Sequence, residues 1–264
     1  VAIGQNAYAR SGSVMVGTHN FKGKLYDTTV DTSDIANMRS NNVVVNATTV
    51  GTNSWNNAAF GVVNGAYSAI TGAYDGGGFR PNSAQNFGAT ITGSLNSIES
   101  KTASSNYSGI ANSIVGVANR TFNSNGSLIY GAGNEITNSV EDIYSAPTSG
   151  GNSPEALAQN LRRVIKESNG GGSTMAFGGG NRADYTLRTA MIDVNNTVTG
   201  TSRRPSTYNS ITGFKNAATN VNHVSVIGSE NEIENTDDAL VLGNKRKLAG
   251  ANGSVILGSG NSVI

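Results

Sequence analysis

Side chains able to do chemistry are few in this chain, and they do not converge. His19 and His223 are the only histidines among 264 residues. A Ser-His-Asp triad or a zinc site would have to draw on one of them, and neither stands in a His-x-x-x-His or Glu-x-x-His spacing. Both read as solvated turn residues. Cysteine is absent, which excludes disulfides and thiolate metal sites. The runs Gly76-Gly77-Gly78, Gly170-Gly171-Gly172 and Gly178-Gly179-Gly180 lack the Lys-Ser/Thr that follows the glycines of a phosphate loop. Calcium-binding rolls need Asp at fixed places after paired glycines, and Asp does not recur here. Polysaccharide-cleaving helices gather acids and Arg in a column, and aligning the repeats described below gives no such column. Triplets such as Asn46-Ala47-Thr48 are expected by chance in so Asn-rich a chain. No catalysis, cofactor or metal is expected.

What remains is surface recognition. Tyr74, Phe79 and Arg80 lie in one Gly-rich stretch, and Arg203, Arg204 and Tyr208 lie in another beside Pro205. Aromatics and Arg on loops are the types that dominate protein–protein hot spots. Folding back onto the body of the protein is the other use such loops have. Charge gives no lead to nucleic acid: the net charge is +1, and Lys245-Arg246-Lys247 is too small a cluster. No apolar run approaches the length that crosses a bilayer.

The elements that would carry these loops come from a repeat. Val224-Ser225-Val226-Ile227-Gly228, Ala239-Leu240-Val241-Leu242-Gly243 and Ser254-Val255-Ile256-Leu257-Gly258 place their glycines fifteen residues apart. Gly213 lies fifteen before Gly228, and Ile114 and Ile129 head the same phrase before Gly116 and Gly131. Gly4 and Gly17 close similar phrases thirteen apart, and weaker copies end at Gly61, Gly93 and Gly178. Asn often follows the glycine by three places, with a small or apolar residue two further on, as in Asn64/Ala66, Asn96/Ile98, Asn134/Ile136, Asn216/Ala218 and Asn231/Ile233. Two short strands per period, joined by a Gly turn and an Asn-rich turn, describe one coil of a parallel solenoid in which each strand pairs with its equivalent. The register sets Glu230 and Glu232 beside Lys245 and Lys247. Composition agrees: only 13% of residues are charged and 34 are Gly, so the chain must turn often and tightly.

Three consecutive apolar residues precede the strongest glycines. Neighbours in a strand point to opposite faces, so both faces are greasy. One set fills the coil and the other needs a cover. Val226, Ile227, Val241, Leu242, Ile256, Leu257, Ile129 and Ile114 are the candidate core and assembly residues. Identical stripes meeting around an axis are the economical cover; the long insertions are the alternative.

The tandem Ser-Val-x-apolar-Gly phrases, and above all Val1-Ala2-Ile3-Gly4-Gln5-Asn6-Ala7-Tyr8-Ala9, resemble the head repeats of YadA-like trimeric autotransporter adhesins. The resemblance covers residues 1–17, about 88–140 and 209–264. It implies an all-β, left-handed parallel β-roll of 13–15-residue coils, assembled as a homotrimer and displayed at the cell surface from a bacterial outer membrane. Implied partners are a host receptor, such as a carcinoembryonic-antigen-related cell adhesion molecule, or a matrix protein such as collagen or fibronectin. Self-association in autoagglutination or biofilm contact is the alternative function. The family's neck, coiled-coil stalk and membrane anchor have no counterpart in these 264 residues, and Val1-Ala2-Ile3-Gly4 shows no signal-peptide pattern. The chain is therefore expected to be one head domain, 1–264, with any signal removed or the head excised from a longer protein.

Four stretches exceed what a coil needs and are expected as insertions, near 18–50, 73–87, 141–173 and 182–208. Within the third, residues 153–168 predict a helix. Ser153 caps it, Pro154 suits its first position, Leu157, Leu161, Val164 and Ile165 make one apolar face, and Gly170 follows its end.

Overall fold

A computed structural model describes residues 1–5, 7, 9, 12–18, 46–71, 85–100, 108–141, 143, 153–260 and 262–263. Among these the chain is mostly β, in the manner of a roll. It visits two long parallel sheets in turn, one of thirteen strands and one of eleven, with a small third sheet of two. Ser113–Val117 pairs with Leu128–Ala132, Ile114 opposite Ile129 and Gly116 opposite Gly131. Toward the other end Val226 faces Val241, which faces Ile256.

Alternation along each strand builds the core. The second residue of each three- or five-residue strand in the thirteen-stranded sheet points inward, and Ile91, Ile114, Ile129, Met191, Ile211, Val226 and Val241 are fully buried. They meet Ile98, Ile136, Val198, Ile233 and Leu248 of the other sheet in one continuous cluster. Each such burial contributes about 1.5–3 kcal/mol. The layer is one side chain deep from each wall, so it cannot hold the backbone by packing alone.

Two columns of small and polar residues hold the corners. The residue two places after each inward position has φ between +87° and +150°, all but Asp193 being glycine, and a Cβ built on Gly131 would lie 1.8 Å from the carbonyl oxygen of Gly178. Glycine is therefore required there by the neighbouring coil as well as by its own backbone. Three residues on, buried asparagines form a ladder through Asn96, Asn119, Asn134, Asn181, Asn196, Asn216 and Asn231. In each step Oδ1 of one Asn accepts the next one's backbone N–H and side-chain Nδ2, as Asn96 does from Asn119 at 2.9 and 3.0 Å. The same Nδ2 also donates onward to a glycine-column carbonyl, Asn119 to Gly131 O at 2.7 Å. Corner groups that no strand can satisfy are thus paired from coil to coil. Arg246 occupies the next rung, taking Asn231 Oδ1 with its backbone N–H and reaching Gly258 O with Nε.

Several sequence expectations need correction. Residues 182–208 are not one insertion. Arg182–Asp184, Ala190–Val194 and Thr197–Thr199 are strands in full register, and only the short loop 200–205 exceeds the repeat. Asp193 stands opposite Gly178 and Gly213, so the glycine landmark was missing where the coil was present. Gly61 is likewise not a repeat glycine. The column passes from Gly51 through Gly65 to Gly93, which shifts that phrase by four residues and removes Asn64 from the Asn position. Thr48–Val50 belongs to the thirteen-stranded sheet rather than to an insertion. Residues 19–45, 72–84 and 144–152, including the loop bearing Tyr74, Phe79 and Arg80, lie outside the described residues.

The helix α1 (Pro154–Glu167) forms where expected, with Ser153 Oγ accepting from Ala156 N. Val164 is buried against Ala59, Phe87, Ile110 and Ile143, with Leu161 beside it. The apolar face therefore covers a third side of the roll.

The columns make opposite predictions for two single substitutions. Gly131→Ala should cost about 3 kcal/mol or more, because its methyl group has no space and its φ no tolerance. Asp193→Gly should stabilise by about 1 kcal/mol, by relieving a φ of +87° at an exposed side chain. Asn181→Ala, which strands buried donors on its neighbours, should cost about 1–3 kcal/mol. Urea midpoints at constant slope measure all three, and a neutral Gly131→Ala would contradict the register.

Candidate partner-binding surface

The sequence-derived apolar list divides between two faces. Ile114, Ile129, Val226 and Val241 point inward and are fully buried, and Ile256 packs on the same core. Ile227 and Leu257 point outward and are 58% and 66% exposed, with Leu242 between them partly covered. The outward column runs the length of the sheet through Ile3, Val16, Val50, Tyr130, Ile192, Ile227 and Leu257, and Asn64, Thr92 and Thr212 interrupt it. Val117, Val194 and Phe214, two places further along their strands, are exposed beside it. So are Tyr67 and Leu95 at the adjoining corner. An apolar surface that continues around an edge is unusual for a free-standing sheet.

A different chemistry occupies the corner five residues before the glycine column. There the backbone turns through the left-handed region in successive coils at Arg188, Tyr208, His223 and Asp238, φ +48° to +58°. The turn lifts each side chain off the roll, and the coil spacing stacks them. The rings of Tyr208 and His223 are parallel, 3° apart, with centroids at 4.9 Å. The Arg188 guanidinium lies 5.4 Å from the centre of the Tyr208 ring, on the side of the preceding coil. Arg188 is held in turn by an ion pair with Glu141. His223 Nδ1 lies 3.5 Å from Asp238 Oδ1. The strip thus reads acid, base, aromatic, imidazole, acid.

The loop 200–205 closes over the flank of this strip. Thr201 and Arg204 exchange backbone hydrogen bonds, and Arg204 Nη2 donates to both oxygens of Asp237 at 3.1 Å. Asn222 Nδ2 donates to Asp237 as well, at 2.8 Å. Of the loop residues named from sequence, Arg204 is thereby tied down. Arg203 is exposed and, among the described residues, pairs with no acid. Tyr208 is 51% exposed but presents its edge, because a neighbour lies on each side of its ring. Sequence reasoning named Arg203, Arg204 and Tyr208 as candidates and did not name Arg188, His223 and Asp238, which stand in the same corner. Counting back five places from each glycine-column position would have found them.

The outer face of the eleven-stranded sheet is ionic. Arg120 binds the buried carboxylate of Glu99 through Nε and Nη2 and that of Glu135 through Nη1, and Arg182 lies 3.7 Å beyond Glu135. The hydrogen bonds and charge of Glu99 hold the Arg120 guanidinium well above its ordinary pKa. The repeats as aligned from the sequence give no column of acids and Arg, yet Arg120, Glu135 and Arg182 stand opposite one another, with Glu99 two places along the neighbouring strand. The α1-bearing insertion separates Glu135 from Arg182 and hides the third member. Lys247 meets Glu232 at 2.7 Å, which raises its pKa, and Lys245 meets Glu230 at 3.9 Å, both as the stacked register required. Among the described residues no three His, Cys, Asp or Glu side chains are grouped to hold a metal ion, and no helix is long and apolar enough to cross a membrane.

A double-mutant cycle on Arg204 and Asp237 should return a coupling of about 0.5 kcal/mol, modest because solvent reaches both side chains. A coupling indistinguishable from zero would mean that the turn alone orders the loop.

No family model matches this sequence, and no curated protein or solved structure matches the chain.

Proposed function

We propose that this chain is the head of a trimeric bacterial surface adhesin, a left-handed roll of 13–15-residue coils. Three copies shield one another's apolar stripe and present their corners and loops to a host cell-surface receptor or matrix protein. It performs no catalysis. One observation carries the reading: the outward column from Ile3 to Leu257 has no covering layer from the described part of its own chain, although most of its residues are of core type. α1 covers the third side of the roll and not this face. The apolar surface also turns the corner at Tyr67 and Leu95. Two adjoining apolar faces suit a ring, in which one face of each copy meets the other face of the next, better than a two-fold pair built on one self-complementary patch. Three equivalent binding edges would then raise avidity without a tight single site.

Light scattering at micromolar concentration should give the mass of three chains. Ile227→Thr, which copies the residue already present one coil earlier at Thr212, should loosen that assembly at least tenfold while leaving the fold intact. A well-folded monomer under the same conditions would end the trimer reading. Beads bearing the head should adhere to epithelial cells or to collagen or fibronectin coatings. Clumping of beads with one another, and adhesion to nothing else, would instead support a self-associating head.

A further inference from the structure

We propose that the Arg188–Tyr208–His223–Asp238 strip with Arg203 is a docking edge for a carboxylate-bearing segment of a partner polypeptide. The inference rests on the adhesin reading and names the partner's chemistry. Charge within the strip is almost wholly satisfied. Arg188 pairs with Glu141, Arg204 with Asp237, and His223 faces Asp238. Arg203 is the exposed cation beside the strip that pairs with no acid among the described residues, and it sits on a loop that the Thr201–Arg204 turn and the Asp237 clamp already order. A cation held out on an ordered loop gives up little freedom on binding, and an Arg in that setting favours a planar carboxylate.

The rings select the class of partner. A sugar binds an aromatic through the ring's open face, where its C–H groups pack. Arg188 and His223 flank the Tyr208 ring from the two neighbouring coils, so the ring edge and the hydroxyl are its most open parts. Edges and hydroxyls suit the alternating donors and acceptors of an extended peptide, with the acid of the partner on Arg203 and backbone groups along Tyr208 and His223. The whole chain carries a net charge of only +1. General attraction of polyanions is therefore weak, and any strong binding must be local.

The test is interferometry on the immobilised full chain at physiological salt, with poly-L-glutamate, polysialic acid and poly-L-lysine as probes. Poly-L-glutamate should bind saturably, at least tenfold more tightly than polysialic acid, and poly-L-lysine should not bind. Arg203→Ala should weaken poly-L-glutamate at least tenfold, and Tyr208→Gly about fivefold. The second variant keeps the fold, because the equivalent turn position is Gly126 in one coil and Gly253 in another, both at positive φ. Arg162→Ala, removing an exposed cation of α1, should change nothing. Absence of saturable binding would overturn the proposal, as would equal affinity for the two acidic polymers or equal losses in Arg203→Ala and Arg162→Ala. A head that adheres to cells and ignores poly-L-glutamate would leave the adhesin reading standing and refute this one.

Discussion

Pairing of corner backbone groups from one coil to the next is the constraint on which everything else in this chain depends. A roll with a core one side chain thick per wall turns sharply several times per circuit, and each turn exposes N–H and C=O groups that no strand partners. The Asn ladder answers that at one corner, where each amide both accepts from the next coil and donates to a glycine carbonyl. Because the rungs are buried, each is costly to break, and because each touches only its neighbours, the cost is local. The glycine column is the geometric counterpart: coils approach so closely there that a methyl group would overlap the next carbonyl.

This arrangement frees the remaining positions for other uses. Once the ladder and the inward Ile and Val columns fix the register, any outward position recurs as a straight column at the inter-strand spacing. Different columns then acquire different characters. One is largely apolar from Ile3 to Leu257, one is ionic through Arg120, Glu135 and Arg182, and one stacks a cation, two rings and an acid. The turn columns accept bulky residues at positive φ, at about 1–2 kcal/mol each relative to glycine, because stacking in the neighbouring coils offsets part of the strain. Among the described residues, a circuit lengthens without disturbing either ladder. Asn134 bonds Asn181 across the coil that carries α1, and Asn196 bonds Asn216 across the one that carries the loop 200–205.

How much was legible in the sequence follows from which columns carry a distinctive residue. Glycine and Asn recur visibly, so the strands around Ile114, Ile129, Val226 and Val241 and the Glu–Lys pairings near the end were readable. The coil around Met191 was not, because Asp193 replaces its glycine and the phrase loses its landmark. Gly61 misled for the opposite reason: it is a glycine in the right surroundings but four residues from the true column at Gly65. Of the candidate site, Arg203, Arg204 and Tyr208 were visible as residue types. Their separate fates were not, since Arg204 is clamped by Asp237 from two coils away and Arg203 is not.

By itself the sequence determined a chain that turns at short intervals, pairs like with like, and carries apolar residues on both faces of its strands; periodicity of side-chain type dictates that much, because strands alternate and coils repeat. The helix start was also a local fact, set by Ser153 and Pro154. Only the tertiary structure decided which apolar residues are interior and which form the outer stripe, and which charged and aromatic side chains share a corner. Those outcomes depend on register summed across circuits of unequal length, and a single missing glycine or inserted loop shifts that sum without leaving a local mark in the sequence.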